Sequence, residues 1–111
     1  MEKFELNIEE NINYNKAIDL ARKGYIIYRR SWGDGILMFS KGGYTIDKET
    51  FANDKTIPNK LKSMLESKSE IDYATSFYLY VEHNHMFWPL GINAEGLGKG
   101  DKEATDWIAI K

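Results

Sequence analysis

Cysteine is absent from this sequence of 111 residues. Its absence excludes disulfide bonds, thiolate metal sites and a cysteine nucleophile, and it favours a reducing compartment. Long hydrophobic runs are also lacking, since none approaches the ~20 residues that a helix needs to cross a bilayer. The opening residues, MEKFELNIEENIN, are acidic and polar, unlike a secretion signal. We therefore expect a soluble, cytoplasmic protein that does not bind membranes.

An excess of one charge is lacking too. The net charge is −2, from 15 basic and 17 acidic residues. Proteins that bind duplex nucleic acid usually carry a basic excess, because neutralising phosphates supplies most of their affinity. We therefore expect no duplex partner, and an anionic ligand would need a local cluster such as Arg29 with Arg30. The length fits one domain, 1–111, with residues 1–12 as an N-terminal arm or extra strand.

The hydrophobic pattern predicts the α+β class. Apolar residues at helical spacing predict an N-terminal helix that Asn13 caps and Gly24 ends. A second helix begins at Pro58, in the middle of the chain. β-branched and aromatic runs predict strands that form a small, mainly antiparallel sheet. The helices are predicted over 14–23 and 58–67, the strands over 25–30, 36–40, 44–46, 76–82, 86–88 and 107–110, and loops over 47–57 and 89–100.

The motifs for catalysis and metal binding are weak. His83 and His85 offer two ligands on one side of a strand, but the chain has no third histidine and no cysteine, so solvated turn histidines explain them better. No nucleophile elbow or phosphate-binding loop is present. Asp101, Glu103 and Asp106 have the spacing of paired carboxylates, which helix capping explains equally well. We expect no metal, no cofactor and no enzymatic activity.

The stretch RRSWGDG is better suited to binding. Trp32 lies in a predicted hairpin turn, where its indole offers a stacking face worth about 1–3 kcal/mol to a purine. Arg29 or Arg30 can grip a pyrophosphate with two donors, although consecutive strand residues point to opposite faces. Asp101 or Asp106 can accept hydrogen bonds from ribose hydroxyls or an exocyclic amine. The alternative is that Trp32 caps the hairpin core and the arginines pair with surface acids.

The order of these motifs resembles the Thoeris anti-defence two family, small phage proteins that sequester immune signalling nucleotides. The shared pattern begins with the helix NYNKAIDLARKG, which ends in glycine. It continues with an arginine three residues before a turn tryptophan and with a later strand tryptophan, which are Arg29, Trp32 and Trp88 here. The C-terminal segment GDKEATDWIAI supplies Asp101, Ala104, Asp106 and Trp107, of which we expect Trp107 to belong to the core.

The resemblance implies a non-catalytic sponge that binds glycocyclic ADP-ribose, the signal of bacterial TIR-domain proteins, in the cytoplasm of the infected host. It also implies homotetramers with ligand sites at subunit junctions, and in some members a separate site for cyclic di- or trinucleotides. The alternatives are a sponge for those nucleotides in another anti-phage system, a small nucleotide-degrading enzyme, or a protein-interaction module. We expect Trp32→Ala to abolish ligand binding and to leave the melting temperature nearly unchanged. The candidate ligand-binding residues are Arg29, Arg30, Trp32, Trp88, Asn93, Asp101 and Asp106.

Overall fold

A computed structural model describes residues 7–111. Its backbone contacts divide the described residues into two units, one formed by residues 7–41 together with Ser76–Lys111, the other by Gly42–Thr75. In chain order the elements are β1 (Ile8–Ile12), α1 (Tyr14–Arg22), β2 (Ile26–Arg29), β3 (Ile36–Lys41), β4 (Tyr44–Asp47), α2 (Lys48–Asn53), α3 (Asn59–Met64), β5 (Glu70–Tyr73), β6 (Ser76–Val81), β7 (Met86–Gly91), α4 (Lys99–Glu103) and β8 (Trp107–Ile110). Single 3-10 turns occupy Arg30–Trp32 and Glu82–Asn84.

The first unit is built on a six-stranded antiparallel sheet. Its strand order is β1-β8-β2-β3-β6-β7, so the final strand lies between the first two. The second unit contains the two-stranded antiparallel sheet of β4 and β5 with the helices α2 and α3. The predicted α+β class, mainly antiparallel sheet and N-terminal and mid-chain helices are confirmed.

Helix α1 begins and ends where the sequence predicts. The Asn13 side chain accepts a hydrogen bond from the Lys16 amide at 2.9 Å, which satisfies one of the free N–H groups at the helix start. Gly24 ends the helix with a φ of +100°, a conformation that side-chain-bearing residues rarely adopt. Between these residues the helix buries one apolar stripe against the sheet, formed by Ala17, Ile18, Leu20 and Ala21.

The core of the first unit lies between α1 and one face of the sheet. Ile27 pairs with Met38 on one side and with Ala109 on the other, so all three side chains point to the same face. Each of them is completely buried, as is Trp107. Because side chains alternate along a strand, the intervening residues face away from α1. They include Ile26, Leu37, Phe39, Tyr78, Tyr80 and Phe87.

The second unit differs from the prediction in its helices. The segment 47–57, predicted as a loop, contains α2, which is only six residues long. Asp47 caps it by accepting from the Thr50 amide at 2.7 Å, and Phe51 anchors it as a buried side chain. One anchor in six residues leaves too little periodicity to recognise. The next helix, α3, is shorter than predicted and begins after Pro58.

Three further segments refine the prediction. Residues 8–12 form a strand, whereas the rest of the predicted N-terminal arm lies outside the described residues. The predicted loop over 89–100 is wrong at both ends, since β7 continues to Gly91 and α4 begins at Lys99. Helix capping does not explain Asp101, because Gly98 is the N-cap of α4 and Asp101 lies inside its first turn. Within the described residues, no helix is long and apolar enough to span a membrane.

Candidate functional site

Four of the candidate ligand-binding residues meet at the end of β2. The Arg29 guanidinium donates from Nε to Oδ1 of Asp106 at 2.8 Å and from Nη1 to Oδ1 of Asp101 at 2.9 Å. The indole Nε1 of Trp32 donates to the same Asp101 oxygen at 3.2 Å. We call Arg29, Trp32, Asp101 and Asp106 the arginine cluster. Folding joins residues that are as many as 77 positions apart in the sequence.

The pairing of β2 with β8 builds the arginine cluster. Arg29 lies opposite Trp107, the first residue of β8, so Asp106 comes beside the end of β2. The Asp106 carbonyl accepts from the Arg30 amide at 3.0 Å, and its Oδ2 accepts from the Ser31 amide at 3.2 Å. Asp106 thus holds the chain as it leaves β2 for the 3-10 turn that carries Trp32.

Trp32 packs at the edge of the core. Its ring meets that of Trp107 in an edge-to-face arrangement, with centroids 5.1 Å apart and planes at 77°. The ring is only partly buried, so part of it remains accessible to a ligand. Because Trp32→Ala removes this packing and the hydrogen bond to Asp101, the structure leads us to expect a lower melting temperature for this variant, rather than the nearly unchanged one expected from the sequence.

Asp101 connects the two tryptophans. Its carboxylate accepts from Trp32 and Arg29, while its backbone carbonyl accepts from Nε1 of Trp107 at 2.9 Å. The position of both indoles therefore depends on one short helix, α4. The carboxylate was recognised as a candidate from the sequence, but the role of the carbonyl was missed, because no residue type signals a backbone acceptor.

Charge within the arginine cluster is balanced internally. Arg29 faces two carboxylates, so the pKa of its guanidinium is raised, first by the hydrogen bond to Asp106 and then by that to Asp101. The pKa of the Asp106 carboxyl is lowered, chiefly by the hydrogen bond from Arg29. Desolvation raises this pKa, and the hydrogen bond from the Ser31 amide lowers it further. Arg29 stays charged, but a pyrophosphate approaching it would also meet two negative groups.

Acid is expected to weaken the fold through Asp106. Because its pKa is lower in the folded protein, the stability that Asp106 contributes is complete above its unfolded pKa of about 4. That contribution disappears as the pH falls through the lower, folded pKa. Asp106→Asn should therefore flatten the fall in melting temperature between about pH 5 and pH 2, measured by circular dichroism.

Part of that acid sensitivity should remain in the variant. The pKa of Asp47 is lowered by its hydrogen bonds from Thr50, and the pKa of Glu95 by bonds from backbone amides. Asp19→Asn, which changes an exposed carboxylate on α1, serves as the control. If Asp106→Asn and Asp19→Asn have identical pH profiles, the bond from Arg29 does not influence stability.

Arg30 contacts different partners from Arg29, but the prediction that both lie in a strand over 25–30 is wrong, because Arg30 begins the 3-10 turn that follows β2. Its side chain is 55% exposed, compared with 23% for Arg29. Its Nη2 donates to Oδ1 of Asn11 at 3.3 Å and lies 3.9 Å from a Glu10 oxygen. Arg30 is thus the more accessible of the two guanidinium groups and the less neutralised.

Among the described residues, no hydrogen bond joins Trp88 or Asn93 to the arginine cluster. Trp88 lies on the edge strand β7, three strand spacings from β2, or roughly 14 Å. It points to the same sheet face as Arg29 and is 49% exposed. Asn93 lies in the turn after β7, where its amide donates to Oε2 of Glu95 at 3.1 Å.

The two histidines lie in a turn, as predicted. His83 belongs to the 3-10 turn after β6, and His85 follows with a φ of +50°. Nδ1 of His85 lies 3.2 Å from the Tyr80 hydroxyl. In the part of the chain that the structure describes, no group of three or more histidine, aspartate or glutamate side chains is arranged around a possible metal position.

A concave surface that is not part of the arginine cluster was missed from the sequence. Phe39, Tyr78, Tyr80 and Phe87 contact one another on the sheet face opposite α1, and we call them the aromatic face. A cavity of about 460 Å³ lies against it. The sequence does contain a signal for this surface. Large apolar side chains occur on both faces of β3 and of β6, which is the pattern of strands that are covered on both sides.

The chain matches no family model and no curated protein. Its function has therefore to be inferred from the residues, from the order of its motifs and from the geometry of the two surfaces described above.

Proposed function

We propose that this protein sequesters a cyclic nucleotide signal of the glycocyclic ADP-ribose type without altering it, and so blocks Thoeris anti-phage defence in the cytoplasm of an infected bacterium. The observation that supports this proposal is the arginine cluster. Arg29, Trp32, Asp101 and Asp106, which the motif resemblance singles out from distant parts of the chain, are joined by direct hydrogen bonds.

Each part of the cluster has a role in this proposal. The accessible portion of the Trp32 ring stacks on the base, in an orientation that Asp101 fixes. The carboxylates retain acceptor capacity for ribose hydroxyls or an exocyclic amine. Since Arg29 is neutralised by two carboxylates, Arg30 carries the main contact with the pyrophosphate, and Arg29 is a positioning residue.

The proposal includes a homotetramer with ligand sites at subunit junctions. Because Trp88 lies roughly 14 Å from β2 within one chain, Trp88 and Asn93 contribute in this proposal from a partner copy. Trp88 and Ile92 are exposed large hydrophobic side chains, at 49% and 58%, and supply apolar surface for such a junction. Light scattering during size-exclusion chromatography tests this part, and a monomeric mass would contradict it.

The geometry favours sequestration over degradation. A nucleotide-degrading enzyme would use Asp101 and Asp106 as general acid and base, and such groups work best with a pKa near the working pH. Both carboxylates are instead committed to Arg29, which keeps the pKa of Asp106 below its usual range. Cyclic di- or trinucleotides of another anti-phage system remain the alternative ligands.

Calorimetric titration with glycocyclic ADP-ribose tests the proposal directly. We expect a dissociation constant in the low micromolar range or below, about −8 kcal/mol or stronger, because a sponge competes with a receptor. Ligand released by denaturing the complex should be chemically intact by chromatography. Turnover beyond one equivalent would indicate an enzyme. Titrations with cyclic di- and trinucleotides distinguish the alternative sponge, and no heat with any nucleotide would refute sequestration.

Arg30→Ala should weaken that binding about tenfold or more, which is the size of one lost charge-assisted hydrogen bond. Arg22→Ala is the matched control, because the Arg22 side chain is similarly exposed at 50% and also lies close to one carboxylate. We expect both variants to melt near the parent temperature. Equal affinities for Arg30→Ala and Arg22→Ala would remove Arg30 from the ligand site.

A further inference from the structure

We propose that the cavity against the aromatic face is a second binding site, for a neutral, planar aromatic molecule. This inference goes beyond the proposed function and does not depend on it. The cavity lies wholly within the first unit, and its volume of about 460 Å³ falls in the usual range of small-molecule sites, about 300–1,000 Å³. Its lining residues include Tyr25, Ile26, Leu37, Phe39, Tyr80 and Phe87.

The wall of this cavity is organised before any ligand binds. Phe87 contacts Phe39 at 5.3 Å and Tyr80 at 5.6 Å between ring centroids, in both cases edge to face. Phe39 in turn stacks on Tyr78 at 6.0 Å with an angle of 23° between planes. Rings that fix one another lose little rotamer freedom on binding, and this lowers the entropic cost of holding a ligand.

This aromatic surface is unusually accessible. Phe87 is 61% exposed and Ile26 is 41% exposed, whereas Ile27, the neighbour of Ile26 on the α1 face, is completely buried. Covering such side chains removes apolar area from water and is favourable by about 25 cal/mol per Å². Binding of an apolar molecule to this surface is therefore favourable.

The lining chemistry selects a neutral ligand. None of the lining residues is charged, and the polar groups among them are the phenols of Tyr25 and Tyr80 and the hydroxyl of Ser40. A charged group placed there would lose water without gaining an ionic partner from the lining. A planar ring with one donor or acceptor instead gains stacking from Phe39 or Phe87 and one hydrogen bond from a hydroxyl. A cation lies beside one of the lining rings, since Nζ of Lys111 is 5.4 Å from the Tyr25 ring centroid.

A partner strand at the neighbouring sheet edge is disfavoured. The edge strand β7 carries Pro89, which has no N–H to donate to an added strand. The concave shape between Leu37 and Phe87 suits a compact molecule rather than a flat protein surface. We therefore assign a small molecule, and a second copy of the chain is the competing outcome in the test.

The probe is 2-aminoanthracene, a neutral planar fluorophore, titrated with the full-length protein. We expect saturable, one-to-one binding with a blue-shifted emission. Phe87→Ala removes one wall, and Ile26→Trp fills the cavity, so each should weaken binding about tenfold or more, the effect of one lost aromatic contact in a desolvated site. Met64→Ala is the control, because Met64 is 70% exposed and is not among the residues that line the cavity.

Two further arms make the assignment falsifiable. Anthracene-2-carboxylate, which has the same rings and a negative charge, should bind more weakly than 2-aminoanthracene. Tighter binding would mean that Lys111 selects an anion, and it would refute the assignment of a neutral ligand. Size-exclusion chromatography of the parent and Phe87→Ala proteins should give equal masses. A mass that falls in Phe87→Ala would assign the aromatic face to a second copy. Binding that survives both cavity variants would also refute the site.

Discussion

Trp107→Ala is expected to lower the free energy of unfolding by about 4 kcal/mol, the largest effect of any single substitution considered for this protein. Trp107 is completely buried and contacts the rings of Trp32 and Tyr14 at 5.1 and 5.8 Å. Its Nε1 also bonds to the Asp101 carbonyl. The truncation thus opens a cavity in the core and leaves a buried acceptor unpaired. Urea denaturation followed by circular dichroism measures the loss.

Trp88→Ala is the matched control for this prediction. It removes the same side chain from the same type of element, but Trp88 is 49% exposed, so about half of its surface is already in water. We expect Trp88→Ala to change the free energy of unfolding much less than Trp107→Ala. If the two variants lose similar stability, the core does not centre on Trp107. If Trp107→Ala fails to fold, Trp107→Phe should fold with an intermediate stability, since it keeps a ring and loses only the hydrogen bond and some volume.

The elements that local signals define could be predicted from the sequence. Helix α1 has an N-cap at Asn13, an apolar stripe and a stop at Gly24, and each acts within a few residues of the helix it delimits. Helix α2 could not be recognised in the same way, because its six residues contain one buried anchor, Phe51. Both helices have a good capping residue, Asn13 in α1 and Asp47 in α2. The difference is that α2 is too short to show a periodic apolar pattern.

The arginine cluster could be predicted only as a set of residue types. Arg29, Trp32, Asp101 and Asp106 are recognisable because of their order along the chain, and the spatial cluster contains all four. The partners inside that cluster depend on the register of β2 with β8, a pairing of segments about 80 residues apart. Local propensity does not fix such a register; it is fixed by which faces of both strands are buried.

The neutralisation of Arg29 follows from the same long-range pairing. From the sequence, two adjacent arginines are equivalent candidates for a pyrophosphate. The structure distinguishes them, since Arg29 faces two carboxylates and Arg30 remains half exposed. A guanidinium with two acidic partners is better suited to holding a turn in place than to attracting an anion. The role of Arg29 is therefore expected to be the positioning of Trp32 through Asp101.

The variant Asp101→Ala tests that positioning role. We expect it to lower the free energy of unfolding by about 2 kcal/mol. The substitution removes the acceptor of both Arg29 and Trp32, while the backbone carbonyl still bonds to Trp107. The estimate lies below the cost of breaking a fully buried ion pair, because the Asp101 side chain is 24% exposed. If the arginine cluster is the ligand site, affinity for glycocyclic ADP-ribose should fall at least as steeply, since the indole loses its fixed orientation.

Two companion variants separate charge from geometry. Asp101→Asn keeps an oxygen that can accept from Trp32 and loses the charge that faces Arg29, so its stability should lie between those of the parent and Asp101→Ala. Glu103→Ala changes an exposed carboxylate on the same helix, whose nearest cation is Lys99 at 3.7 Å, and should melt like the parent. Equal stabilities for Asp101→Ala and Glu103→Ala would show that Asp101 does not hold the two tryptophans. A stable Asp101→Ala protein that still binds the nucleotide tightly would place the ligand elsewhere on the chain.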